Sequence, residues 1–255
     1  MWTDNKKRVS SLAKVFKVLE LLSIEKEALE LAVITKQLGF PKTTIHSILN
    51  NLKSIGYVEQ NPETNRYAAS MKLFRLGWEV VKKLNLIEVA HPHMVELSEK
   101  TGETVSLGIK WGLNIMIADT VESKHQLKYI PPIGFEHRAY CSACGKAVLA
   151  FMGEEEKEKL FANHTPVPST EKSLKTVKAI MKDLEKVRER GYAVDDEENV
   201  MGIRCVGAPI FAHYRNMIFC LSISGPSLRI NENNIPHLGG LVMETAASIS
   251  SRLGA

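Results

Sequence analysis

Apolar residues return every three or four positions in SSLAKVFKVLELLS. Leu12, Val15, Phe16, Leu19 and Leu22 share a helical face behind the capping candidates Ser10 and Ser11. The acidic stretch IEKEALEL follows, and AVITKQLGF sets Val33, Ile34 and Leu38 along a second, short helix ended by Gly39. In GFPKTTIHSILNNL, Pro41 opens a third helix whose Ile45, Ile48, Leu49 and Leu52 form one stripe. The period then changes. In SIGYVEQNPETNRYAAS, Tyr57, Val58 and Tyr67 flank a turn at 61–65, where Asn65 can take a left-handed conformation. Three helices followed by a hairpin predict a winged helix–turn–helix.

The polar face of the third helix narrows its purpose. Lys42, Thr43, Thr44, His46, Ser47, Asn50, Asn51 and Lys53 surround the stripe with no carboxylate among them. A face that only meets water usually mixes Glu with Lys. A helix that enters the major groove instead carries groups that reach phosphates and base edges.

Beyond the hairpin, SMKLFRLGWEVVKKLNL places Leu73, Leu76, Val80 and Leu84 at helical spacings, as a connecting helix with a boundary near Leu86. IEVAHPHMVELSEKTG reads as a helix ending near Gly102, and TVSLGIKWGLNIMIADTVES as two strands reversing between Trp111 and Asn114. GKAVLAFM and GEEEKEKLFA suggest consecutive helices, and KSLKTVKAIMKDLEKVRERG a charged amphipathic one closed by Gly191. GYAVDD, IRCVGAPIF and MIFCLSIS are strand-like, and IPHLGGLVMETAASISSRL is a terminal helix. Strands with helices before, between and after them predict a single mixed sheet covered by helices.

Charge sharpens this division. The net charge is +4, and the first 80 residues hold twelve Lys and Arg against eight Asp and Glu, while the remainder is balanced. A basic head on a neutral body suits a polyanion-binding module. A run of about 18 apolar residues is missing and MWTDNKKRVSS has no signal-type apolar core, so no membrane partner is expected and the expected location is cytoplasmic.

The run from Leu38 to Gly77, with YCSACGKAVLAF, RERGYAVDDEENVMGIRCVGAPIF and LSISGPSLRI in that order, resembles the isocitrate-lyase-regulator (IclR) family of bacterial transcription factors across essentially the whole chain. The resemblance implies an α+β protein. A winged helix–turn–helix DNA-binding domain would span 1–69, a connecting helix 70–86, and a GAF-like α/β effector-binding domain 87–255. It implies a ligand-responsive regulator, a repressor, that binds double-stranded operator DNA as a homodimer or dimer of dimers. Lys42, Thr43, Thr44, His46, Ser47 and Asn50, with Arg66 in the hairpin, are the candidate DNA contacts. By resemblance, Asp195, Cys205, Ser222 and Ser224 line the effector pocket, with Ile203 as an apolar wall and Ser142 and Ala143 at the start of the GKA helix.

The residue chemistry favours a small organic carboxylate as effector. A helix starting near Ser142 offers free amides and a positive dipole end, and Ser222 and Ser224 share one face of their strand. No resident cofactor is expected. Cys141 and Cys144 form a C-x-x-C pair and leave a second reading open, a zinc or redox sensor using Cys141, Cys144, Cys205 and Asp195. An enzymatic reading, a GAF-like thiol reductase, rests on the same cysteines. Glu197 and Glu198 are expected in a solvated loop, and His137 is the one histidine near the C-x-x-C.

Overall fold

The computed structural model describes residues 10–212 and 217–255, with the side chains of 78–84 and 217 left aside. The chain divides into two compact units between Lys83 and Leu84. In the first, α1 (Ser11–Ile24) begins where the Ser10 hydroxyl accepts from Ala13 N, and α2 (Leu31–Leu38) ends on left-handed Gly39. α3 (Lys42–Ser54) buries Ile45, Ile48, Leu49 and Leu52, the stripe the sequence predicts. The wing pairs β1 (Val58–Gln60) with β2 (Tyr67–Ala69). Its turn is held by Asn61 Oδ1, which accepts from Glu63 N and Thr64 N, and by Asn65 at φ 55°. Leu29 adds a bridge to Tyr67 from within the acidic stretch. α4 (Met71–Leu84) follows the wing.

The first helix corrects one expectation. Val18 and Leu22 are buried, whereas Leu12 and Phe16 are exposed. The apolar period of α1 thus spreads over more surface than its own core covers.

The second unit opens with α5 (Leu86–Thr101), closed by left-handed Gly102. Its strands are β3 (Thr104–Trp111), β4 (Asn114–Val121), β5 (Glu136–Arg138), β6 (Ala193–Asp196), β7 (Ile203–Ala212) and β8 (Met217–Pro226). They form one sheet in the order β5-β4-β3-β8-β7-β6. Every pairing among these strands is antiparallel, not mixed as expected. The helices lie outside the close connections β3–β4 and β7–β8, so no right-handed crossover generates a parallel neighbour.

Alternation along the strands builds two cores. Val105, Leu107, Val206, Ala208, Leu221 and Ile223 face α5 and the terminal α9 (Ile235–Arg252). Cys205 and Cys220 face α6 (Ala143–Phe151), α7 (Glu154–Phe161) and α8 (Val177–Arg190). Two glycines let α6 approach closely. A Cβ on Gly145 would stand 2.2 Å from the Ala139 backbone, and one on Gly207 would stand 3.1 Å from Cys144 N.

Candidate functional sites in head and body

On α3, Lys42, Thr43, His46, Ser47 and Asn50 are exposed and Thr44 is half-buried. The Asn50 amide approaches His46 Nδ1 at 3.4 Å, so the two form a short polar pair one turn apart. Arg66 is engaged by Glu30 at 3.1 Å. That pair is exposed, which makes it weak and readily exchanged for a phosphate.

In the second unit a cavity of about 20 Å³ lies between the sheet and the start of α6. Ser142, Ala143, Asp195, Cys205, Ser222 and Ser224 all line it. Ile203 does not. It lies at the strand end opposite Pro226 and packs against the α6–α8 core, and Ile117 with Pro131 supply the apolar wall instead. Ser106, Tyr129, His137, Cys144 and Asn199 complete the lining; of these the sequence points only to Cys144, in the segment that by resemblance borders the pocket, and to His137 as the histidine near the C-x-x-C.

The floor is a product of register. Asp195 stands opposite Cys205, and Cys205 opposite Ser224, across β6, β7 and β8. Over the floor, Ser142 caps α6 by accepting from Gly145 N at 3.1 Å, and Ser142, Ala143 and Cys144 bring the start of that helix to the cavity. Asp195 Oδ1 accepts from Glu198 N at 2.8 Å and Asn199 N at 3.2 Å. Burial, then the nearby Glu198 carboxylate, pushes Asp195 up to about 7. Burial also pushes the Tyr129 phenol up to about 12, with Cys205 and Asp195 adding to it. His137 is lowered by burial against the opposing hydrogen bond from Asn199. The Asn199 amide group lies 2.9 Å from His137 Nδ1.

Glu198 overturns the solvated-loop expectation. It is buried and pairs with Lys146, which also meets Asp183 at 2.9 Å. Burial alone would depress the Lys146 ammonium, but the two carboxylates outweigh it and hold the lysine charged. The signal was there in GKAVLAF, where a lone lysine interrupts an apolar run. Glu197 stays near the surface, paired with Lys172 and accepting from Gly202 N.

Of the alternative set, Cys144, Cys205 and Asp195 share the cavity, and Cys141 stands apart from it. The Cys141 thiol bonds toward Ser169 and Ser173, whereas Cys144 lines the cavity and touches Cys220. Among the described residues no group of three or more His, Cys, Asp or Glu is arranged to hold a metal. All four cysteines are free and buried, and burial raises Cys205 and Cys220 well above the usual thiol value.

A winged helix–turn–helix with a carboxylate-free outer face, joined to a sheet domain with its own polar cavity, defines a DNA-binding transcriptional regulator. The comparisons agree. The model described as bacterial transcriptional regulator IclR, C-terminal, matches residues 78–251, and that of the IclR helix-turn-helix domain matches 11–62. The regulator KdgR of Escherichia coli (strain K12) is 32% identical over 246 residues, covering 96% of this chain and 93% of KdgR. The transcriptional repressor IclR of the same organism is 31% identical over 249 residues, covering 97% and 91%. The crystal structure of Thermotoga maritima IclR superposes with a TM-score of 0.73 at 31% identity, covering 96% of this chain and 99% of that one. The chain belongs to the IclR family of bacterial transcriptional regulators, a family of regulators rather than enzymes. Among the described residues no helix is long and apolar enough to cross a membrane.

Proposed function

We propose that the protein is an effector-responsive repressor that binds operator DNA in the cytoplasm as a dimer or dimer of dimers. Its α6–sheet cavity takes a small organic carboxylate. The observation that carries this reading is that the start of α6, at Ser142, Ala143 and Cys144, lines one buried cavity with Ser222 and Ser224. Helix-end amides favour an anion, and hydroxyls supply further donors. Lys42, Thr43, Thr44, His46, Ser47, Asn50 and Arg66 contact the operator. A monomer would read one half-site, and the exposed Leu12, Phe16 and Leu76 supply apolar surface for pairing. Val80, the other pairing candidate, has its side chain outside the described residues.

The test is the double change Ser222→Ala/Ser224→Ala. Folding and DNA binding should persist while the response to small carboxylates is lost, because each hydrogen bond to a charged ligand contributes about 1.5–3 kcal/mol. An unchanged ligand-induced shift in DNA affinity would refute the pocket. The reading needs no resident cofactor. A zinc response abolished by Cys144→Ser would replace it with a metal sensor.

A further inference from the structure

The hydroxyls on the cavity floor are not equivalent. Ser224 bonds with the Cys205 thiol. Ser106 lines the same cavity, is 1% exposed, and its Oγ makes no hydrogen bond within the protein. A buried hydroxyl without a partner is a standing cost that a ligand can remove.

Register fixes where that hydroxyl lies. Ser106 stands opposite Ser222 across β3 and β8, and Ser222 opposite Gly207 across β8 and β7. Gly207, Ser222 and Ser106 therefore form one row over three strands, spaced about 4.8 Å apart. At the Gly207 end, the missing Cβ admits the backbone of Ala143 and Cys144, the first turn of α6. α6 packs chiefly over β7 and β8. A carboxylate drawn to its amides therefore reaches Ser222 and stops short of β3. What meets Ser106 is the next part of the effector.

We propose that Ser106 is the specificity-determining contact of this cavity, selecting carboxylic acids with a hydroxyl on the second or third carbon over plain acids of equal length. This rests on the carboxylate pocket proposed above. Chain length is limited as well. The cavity of about 20 Å³ has little more than a water's room, so even a three-carbon acid must push lining side chains aside, and longer acids must push them further.

The experiment is calorimetric titration of the full chain with lactate, 3-hydroxypropionate and glycerate against propionate. At least one hydroxy acid should bind about tenfold or more tightly than propionate. Ser106→Ala should abolish that preference while leaving the unliganded melting temperature unchanged or raised, since the group removed is unpaired. A lowered melting temperature with the preference retained would mark Ser106 as structural and overturn the proposal, as would failure of all three hydroxy acids to bind. Ser222→Ala/Ser224→Ala separates the two levels. If that variant loses acid binding while Ser106→Ala keeps the preference, the role of Ser106 alone fails; if it binds every acid unchanged, the pocket reading fails with it.

Discussion

At the scale of single residues, burial decides which charges matter. Asp195 is raised to about 7, against about 4 for an unfolded aspartate. The folded state therefore holds a proton that the unfolded state has released between those values. The stability tied to this group is full below pH about 4 and is lost as pH rises through about 7. Asp195→Asn should flatten that slope in thermal melts taken from pH 5 to 8, since an amide oxygen can still accept from Glu198 N and Asn199 N. A protonated Asp195 also stops repelling a bound carboxylate, so wild-type affinity for a carboxylate should tighten as pH falls through 7, and titrations at pH 6 and 8 would read it. Lys146 is the opposite case, a charge kept by its partners. Lys146→Ala leaves Glu198 and Asp183 without their shared cation and should cost about 3–5 kcal/mol in urea denaturation, the range for breaking a buried pair from one side.

At the scale of elements, α3 is the proposed reader of the operator. Replacing Thr44, His46 and Asn50 together with alanine should erase operator selectivity, with each lost base contact costing about 1–3 kcal/mol, measurable by competition against mismatched operators. Lys42→Ala should instead weaken all sequences alike and lower the salt slope by about 1. α3 was readable in the sequence because one buried stripe opposes one polar face, which writes a clean period. α1 was less so, because periodicity cannot separate a face turned to its own core from one left for another surface; Phe16 and Val18 exchanged roles for that reason. Three-residue β5 is too short to show any period, and it went unseen. The serines of β8 were legible by alternation, yet Ser106 was hidden between Val105 and Leu107, because only the pairing with β8 reveals what it faces. Likewise the acidic run around Glu198 names no partner until α6 brings Lys146 beneath it.

At the scale of the whole molecule, assembly is the first expectation. Mass measurement in solution at micromolar concentration should give a dimer or its double, and Phe16→Glu should shift the population toward monomer with a steep loss of operator affinity; a monomeric wild type on DNA would refute the pairing. The sheet order sets a second expectation, one about time. β3 sits between β4 and β8, so residues 104–109 wait for residues 219–224 before their second edge is covered. Pairing across so long a stretch is slow to close. The winged head draws its core from residues 18–67 and needs no such partner. During synthesis the head should therefore become protease-resistant well before the body does, and a stalled chain ending ahead of β8 would display a finished DNA-binding surface without the domain that governs it.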